Sequence, residues 1–415
     1  MDDNTIIERE LYTEQLRKYI DVPLVKIITG IRRSGKSALL ELFQEDILKV
    51  TDSEHIIYVR FEDLEFEFIS DHKKLHEYVL SKIRDDKKYY VFLDEIQNIE
   101  QWEKAVNSLR LRNTDIYVTG SNSRLLSSEF STLLSGRYVE FRIFPLSFSE
   151  FINFRKECGI GSDNADSELD AYIRTGGFPL LSKGRFDPQT KRKIITDISN
   201  SIILRDVIQR NKIRNVDLLQ RIIAFVYDNI GNTITAKSIS DRFKKEHRSV
   251  DNETIYNYLR YLEEAFIIHR VGRYDIRGKR LLETADKFYL DEHSLQFAAR
   301  EYNTANISGI LENIIYVELL RRGYSVSVGK FDDKEVDFVA EKPEGRLYVQ
   351  VCYQLASEDT IEREFAPLMK IQDNYSKLVV TMDKYWNIEK DGVRGMHMKD
   401  FLLRGEDDHP YIYRN

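Results

Sequence analysis

The sequence predicts a multidomain α/β protein whose first unit is a parallel sheet covered on both faces. Two observations carry this prediction. Between residues 1 and 150, five β-rich runs alternate with helix-length segments: "PLVKIITG" (23–30), "HIIYVRFED" (55–63), "YYVFLDEI" (89–96), "DIYVTGS" (115–121) and "YVEFRIF" (138–144). Four are nearly continuously apolar, as strands buried on both faces are. The chain also has 415 residues, far more than one core needs, so two to four domains are expected.

The remaining elements follow in order. From about 145 to 215 the β pattern disappears, and "PLSFSEFINFRKECGI" and "TKRKIITDISNSIILRDVIQRNKI" have helical spacing around a Gly-Gly-Phe-Pro punctuation in "YIRTGGFPLLSKG". Residues 216–291 read as three helices and a hairpin around "DIRGKR", the make-up of a winged helix. From 292 to 415 a helix, strands near 324–329, 335–340, 347–353 and 377–382 and an intervening helix predict a compact α/β domain. The expected division is therefore 1–150 sheet domain, 151–215 helical subdomain, 216–291 winged helix and 292–415 C-terminal α/β domain.

Composition narrows the function classes. Apolar content of 42% and charged content of 32% are ordinary for a globular protein. A net charge of −7 excludes a general polycation, but not a local basic face. Two cysteines, Cys158 and Cys352, exclude a disulfide framework or a zinc cluster and fit a reducing compartment. The acidic start "MDDNTIIERELYTEQL" is not a signal peptide, and no run approaches the ~18 apolar residues of a membrane span. A cytoplasmic location with no membrane partner is expected.

The first chemistry-bearing motif is "GIRRSGKS", Gly30 to Ser37, a full G-x-x-x-x-G-K-[ST] match between an apolar strand and an amphipathic helix. Such a loop turns its backbone N–H groups around phosphates, and the helix N-terminus adds roughly half a positive charge. The expected cradle for ATP is Gly30, Ile31, Arg32, Arg33, Ser34, Gly35, Lys36, Ser37 and Ala38. Lys36 would reach the β- and γ-phosphates, and the Ser37 hydroxyl would ligate Mg²⁺. One of the paired Arg32 and Arg33 would touch phosphate or base; the alternative is a solvated loop face.

"YYVFLDEIQ" ends a strand in Asp94-Glu95, on the ligand side of an α/β sheet. Asp94 suits Mg²⁺ and Glu95 suits activation of the attacking water. At the end of "DIYVTGSNS", Ser121 or Asn122 would position that water; plain turn chemistry is the alternative. Arg137 in "LLSGRYVEF" would be an arginine finger acting across subunits, or else a surface ion-pair partner.

Together, "ITGIRRSGKSALL", "VFLDEIQNIEQWE", "YVTGSNSRLLSSEFSTLLSGR", "FPLSFSEF" and "YIRTGGFP" resemble a family of prokaryotic AAA+ superfamily ATPases with an uncharacterised C-terminal domain. The resemblance covers nearly the whole chain. It implies the AAA+ P-loop fold and ATP binding, with Lys36, Ser37, Asp94, Glu95 and Arg137 carrying the nucleotide chemistry. It implies no cellular role.

Two further segments bear on partners. In the winged helix, Asn252, Thr254, Asn257, Tyr258 and Arg260 are candidate exposed residues of a recognition helix, with Arg273, Arg277, Lys279 and Arg280 on a basic wing. This makes DNA or RNA a candidate partner. Against it stand Glu263 and Glu264 and the acidic chain, and a packing module is the favoured alternative. Tyr256, Leu259, Leu262 and Phe266 are expected in its core. In the C-terminal domain, Glu312 on a helix, Glu335 and Asp337 on one strand, and Gln350 and Cys352 on the next resemble the PD-(D/E)XK restriction-endonuclease-like fold. That resemblance implies a metal held by carboxylates and a lysine nearby. Cys352 stands at the lysine position, and loss of a preorganised charge costs roughly 10²–10³ in rate. A degenerate domain is expected, with Lys330 or Lys334 as conceivable substitutes.

The expected function is an ATPase that drives or gates a conformational change. The alternatives are a nucleic-acid-binding ATP switch with little turnover, and an ATP-regulated nuclease.

Overall fold

The computed structural model describes residues 6–126, 134, 136–245, 250–299, 302–303, 306–384 and 389–404. Most of the run before Arg137, residues 127–133 and 135, lies outside the described residues. The chain divides into two compact units, Met1–Pro145 with Glu264–Phe266, and Leu146–Glu263 with Ile267–Asn415.

The first unit is the expected parallel sheet. Its strands are β1 (Val25–Thr29), β2 (Ile56–Arg60), β3 (Tyr89–Asp94), β4 (Thr114–Gly120) and β5 (Tyr138–Arg142), in the order β2-β3-β4-β1-β5. Every pairing is parallel. All of β1 and β3 is buried, which explains why they read as continuous apolar runs. Successive side chains point to opposite faces, so Ile27, Val91 and Val118 join one core and Ile28, Phe92 and Tyr117 the other. Because β4 lies between β1 and β3, the C-terminal ends of all three open side by side. That edge is where ligands sit in α/β sheets.

The loop after β1 is set by backbone conformations that favour glycine. Gly30 has φ of 146° and Gly35 φ of 100°. A Cβ on Gly30 would meet the Ile143 carbonyl oxygen at 2.1 Å. The helix Lys36–Ile47 starts at once, with Gly35 as its N-cap. Behind the loop, buried Arg9 donates to the Ser34 carbonyl at 3.0 Å.

The second unit begins with the helices Phe148–Glu157, Ala165–Thr175, Pro179–Lys183 and Pro188–Ile202. The first is started by a capping box of Ser147 and Glu150. The Gly-Gly-Phe-Pro turn lies against buried Glu292, whose carboxylate accepts from the Gly177 amide at 2.9 Å; a Cβ on Gly176 would meet the same carboxylate at 2.1 Å. The helices Val216–Asp228, Ala236–Lys245 and Asn252–Glu264 are then followed by a hairpin of β6 (Ile268–Asp275) and β7 (Arg280–Leu290).

The C-terminal segment adds the helix Ile307–Arg321, β8 (Ser325–Phe331), β9 (Lys334–Lys342), β10 (Gly345–Cys352), the helix Glu358–Met369, β11 (Ser376–Thr381), β12 (Glu389–Lys390) and β13 (Val393–His397). Three features differ from the sequence reading. The strands form one eight-stranded sheet, β12-β13-β11-β10-β9-β8-β6-β7, so it crosses the boundary expected at 291/292. The join is a parallel pairing of β6 with β8, Arg273 opposite Val328. The short β12 and β13 carry too little apolar pattern to be read alone. And Tyr256, expected in the core, is 53% exposed; the buried stripe of its helix is Ile255, Leu259 and Leu262. Among the described residues no helix is long and apolar enough to cross a membrane.

Candidate active site

Lys36 is only 3% exposed, and its ammonium donates to the carbonyls of Gly30 and Ile31 at 3.0 and 3.1 Å. A phosphate entering the loop would take over these donors. The Glu95 carboxylate lies 3.9 Å from Lys36 Nζ and 3.9 Å from Arg32 Nη2. Arg32 also pairs with Glu62 at 2.9 Å, whereas Arg33 is exposed with φ of 69°. The two arginines therefore divide: Arg32 faces the acid pair and Arg33 faces solvent. Ser37 and Ala38 follow in the first turn of the helix, half-buried.

The acid pair is held by one hydroxyl. Thr119 Oγ1 accepts from the Glu95 amide at 2.8 Å and donates to Asp94 Oδ1 at 2.5 Å. Asp94 also receives the Tyr58 hydroxyl at 3.4 Å and lies 3.6 Å from Arg60 Nε. Burial and the Asp94 charge push the Tyr58 hydroxyl upward, so it stays a donor. Glu95 is held at φ of 57° and ψ of 47°, a left-handed conformation that costs a non-glycine residue of order 1–3 kcal/mol. The strain turns its carboxylate toward Gln97, which donates to it, and toward Ser121 Oγ at 3.4 Å.

Both candidates at the end of β4 are fully buried and take different roles. Ser121 contacts Glu95, while Asn122 Oδ1 accepts from the Arg124 amide at 2.8 Å. Asn122 Nδ2 has no hydrogen-bond partner, and neither do Ser34 Oγ, Gln97 Oε1 or Arg60 Nε. These four buried polar atoms follow or end β1, β2, β3 and β4, and their lack of hydrogen-bond partners is consistent with a polar ligand at that edge. The open donors and the carboxylates at Asp94 and Glu95 fit a triphosphate and its divalent cation. Thr119, Tyr58, Arg60 and Gln97 were not singled out from the sequence. Only Gln97, two residues from Glu95, lay close enough to the motif to be suspected.

Arg137 stands apart from this group. Val25 pairs with Tyr138 and Thr29 with Arg142, so Arg137 flanks the entry of β1 while the phosphate loop leaves its exit. Five strand residues, about 16 Å, separate the two ends. Arg137 is exposed, and its charge lowers the neighbouring Arg110 guanidinium after burial has done so.

The second acid cluster has a different character. Glu312, Glu335 and Asp337 do come together, but around a lysine. Lys287, 4% exposed on β7, puts its ammonium 2.7 Å from Glu335 and 3.5 Å from Glu312. Arg273 pairs with Glu335 at 2.8 Å, the Tyr289 hydroxyl donates to Glu312 at 3.1 Å, and the Val351 amide donates to Asp337 at 2.8 Å. Gln350 donates to Glu364 at 3.0 Å and accepts from the Asp337 amide at 3.3 Å. Burial, then Glu312, pushes the Asp337 carboxyl well above the usual range. Burial pulls Lys287 down, but Glu312, Asp337 and Glu335 outweigh it and raise it. Cys352 is buried, and burial lifts its thiol to about 12, so no thiolate forms there near neutral pH. The suggested substitutes do not fill this place: Lys330 is exposed on β8 and pairs in register with Glu335, and Lys334 is exposed at the strand start.

The proposed wing is largely neutralised within its own unit. Arg273 pairs with Glu335, Arg277 with Asp332 at 2.9 Å, and Arg280 approaches Asp275 at 4.0 Å. On the preceding helix, Asp251 caps the N-terminus by accepting from the Thr254 amide and hydroxyl, and Arg260 donates to Asn257 at 3.1 Å.

Comparison with known proteins bears on the family and the fold. Residues 23–152 match a family described as an AAA domain, and residues 166–306 a domain of unknown function. An uncharacterized protein of Haemophilus influenzae is 40% identical over 96% of this chain and 99% of its own length. An uncharacterized protein of Methanocaldococcus jannaschii is 32% identical over 82% of this chain and 77% of its own. Among solved structures, a Walker-type ATPase of Pyrococcus abyssi superposes with a TM-score of 0.50 at 18% identity, covering 72% of this chain and 97% of that one, a likeness of fold. The chain therefore belongs to one family with the Haemophilus and Methanocaldococcus proteins, and its N-terminal sheet lies in the region that matches an AAA domain.

Proposed function

We propose that this protein is an AAA+ ATPase that binds ATP with Mg²⁺ in the loop 30–38 and hydrolyses it to drive or gate a conformational change. The observation that carries the reading is Glu95, a strained, buried carboxylate 3.9 Å from the Lys36 ammonium. In this reading the loop amides and Lys36 bind the phosphates, and Ser37 and Asp94 hold the cation. The bound Mg²⁺ would draw charge from the β- and γ-oxygens. Glu95 takes the proton from the attacking water, with Ser121 and Gln97 fixing the carboxylate. Asn122 offers its unpaired Nδ2 to the γ-phosphate. Arg137 is too far along the strand to serve its own loop, so its role as a finger requires a second copy of the chain.

The free thiols at Cys158 and Cys352 fit a reducing, cytoplasmic setting. DNA or RNA as an effector rests on the exposed part of the helix Asn252–Glu264 and on the hairpin tip, where Arg277 and Arg280 have side chains 75% exposed. The test is ATP turnover by wild type and Lys36→Ala, with and without DNA or RNA. Turnover present in wild type and absent in Lys36→Ala supports the reading. Equal rates in every condition sink it. Turnover that is negligible while nucleic-acid binding follows bound ATP would favour the switch instead.

A further inference from the structure

The C-terminal resemblance implies a divalent cation among Glu312, Asp337 and their neighbours, and the residues present do not fit one. Among the described residues, no group of three or more His, Cys, Asp or Glu side chains is arranged to hold a metal ion. The space among the acids is taken by Lys287. Its ammonium contacts Glu335 at 2.7 Å and Glu312 at 3.5 Å, and both contacts are made by a side chain 5% exposed. Each acid also meets another donor: Asp337 the Val351 amide, Glu312 the Tyr289 hydroxyl, Glu335 the Arg273 guanidinium.

We infer that the Lys287 ammonium stands where the resemblance would place a metal ion, so that the acid cluster binds no divalent cation and instead ties the β6–β7 hairpin to β9 and to the helix Ile307–Arg321. The topology shows what the tie connects. Lys287 belongs to the hairpin, Glu312 to the helix Ile307–Arg321, and Glu335 and Asp337 to β9. Lys287 also bridges to Thr233, in the segment after the helix Val216–Asp228, and Arg273 of β6 donates to the Thr233 hydroxyl at 2.7 Å while pairing with Glu335. Lys287 and Arg273 together thus gather four segments. In charge, three carboxylates meet Lys287 and Arg273, and Asp337 is pushed toward its neutral form. A further divalent cation would find its ligands already compensated, and would have to displace a buried ammonium from a direct ion pair.

The test is Mn²⁺ binding to nucleotide-free full-length protein, with Asp337→Asn as reference so that binding elsewhere cancels. Wild type should show no Mn²⁺ site that Asp337→Asn removes. Lys287→Ala should gain one, at least tenfold tighter than anything wild type shows, and the double variant Lys287→Ala/Asp337→Asn should lose it. Lys287→Met keeps the aliphatic stem and replaces Lys287→Ala if the latter fails to fold. An Asp337-dependent Mn²⁺ site in wild type overturns the inference. So does a folded Lys287 variant that gains no such site, because the ammonium would then not be standing in the cation's place.

Discussion

Two of the buried meetings of lysine with carboxylates among the described residues, at Lys36 and at Lys287, differ in what is left unsatisfied. At the phosphate loop, Lys36 is parked on two backbone carbonyls, 3.9 Å from Glu95, and Ser34, Asn122 and Gln97 each keep a buried polar atom without a hydrogen-bond partner. In the C-terminal sheet, Lys287 is bonded directly to Glu335, and the carboxylates around it take their donors from Tyr289, Val351 and Arg273. Unmatched polar groups cost stability when buried, and a ligand that matches them is one way to offset that cost. A closed network returns that cost as structure. In this protein the acid cluster whose hydrogen bonding is incomplete is the better candidate for chemistry.

Breaking either side of the comparison gives effects of different kinds. The largest is expected at Lys36: Lys36→Ala should abolish ATP turnover and nucleotide binding together, measured by phosphate release and by a fluorescent nucleotide. Next is Arg137→Ala, expected to reduce turnover roughly 10³-fold if it acts across copies. Mixing it with Lys36→Ala should restore part of the activity, because each defect then lies in a different composite site. A mixture as inactive as its parts would remove Arg137 from the mechanism.

At the closed network the effect moves from rate to stability. Lys287→Met should cost about 3–5 kcal/mol in denaturant unfolding, since it leaves buried carboxylates uncompensated. A loss under 1 kcal/mol would show that the cluster is not the tie described above.

Cys352 sharpens the contrast with a pH dependence. The native thiol, raised to about 12, keeps a proton that the unfolded chain releases above about 9. The native state thus binds more protons in that window, and stability should fall as pH rises through it. Below it, at pH 8, a thiol reagent should modify Cys158 readily and Cys352 only on unfolding. The smallest effect is expected from Arg277→Ala. Its pair with Asp332 is exposed, so stability should change by about 0–1 kcal/mol.

The sequence showed the first site far better than the second, for a physical reason. The phosphate loop, Lys36 and the acid pair are local: glycines with positive φ, an apolar strand and a helix start lie within one short run, and Asp94-Glu95 closes a strand that reads on its own. The choice between Ser121 and Asn122 was not legible, because adjacent residues at a strand end face different neighbours. Tyr256 was misplaced because an aromatic at helical spacing looks like core whether or not a partner covers it. Lys287 was invisible in its role. It sits in a hairpin read as a wing, 25 residues before Glu312 and 48 before Glu335, and only the β6–β8 pairing brings them together. Long-range strand order is what one sequence reveals least.

The central claim is that this protein's chemistry belongs to Glu95 and the phosphate loop, not to the acids of the C-terminal sheet. The most direct test is ATP turnover and ATP binding in Glu95→Gln beside Asp337→Asn. Glu95→Gln should still bind ATP but turn it over at least roughly 10²-fold more slowly, while folded Asp337→Asn should stay within a few-fold of wild type. Wild-type turnover in Glu95→Gln, or an equal loss in folded Asp337→Asn, would contradict it.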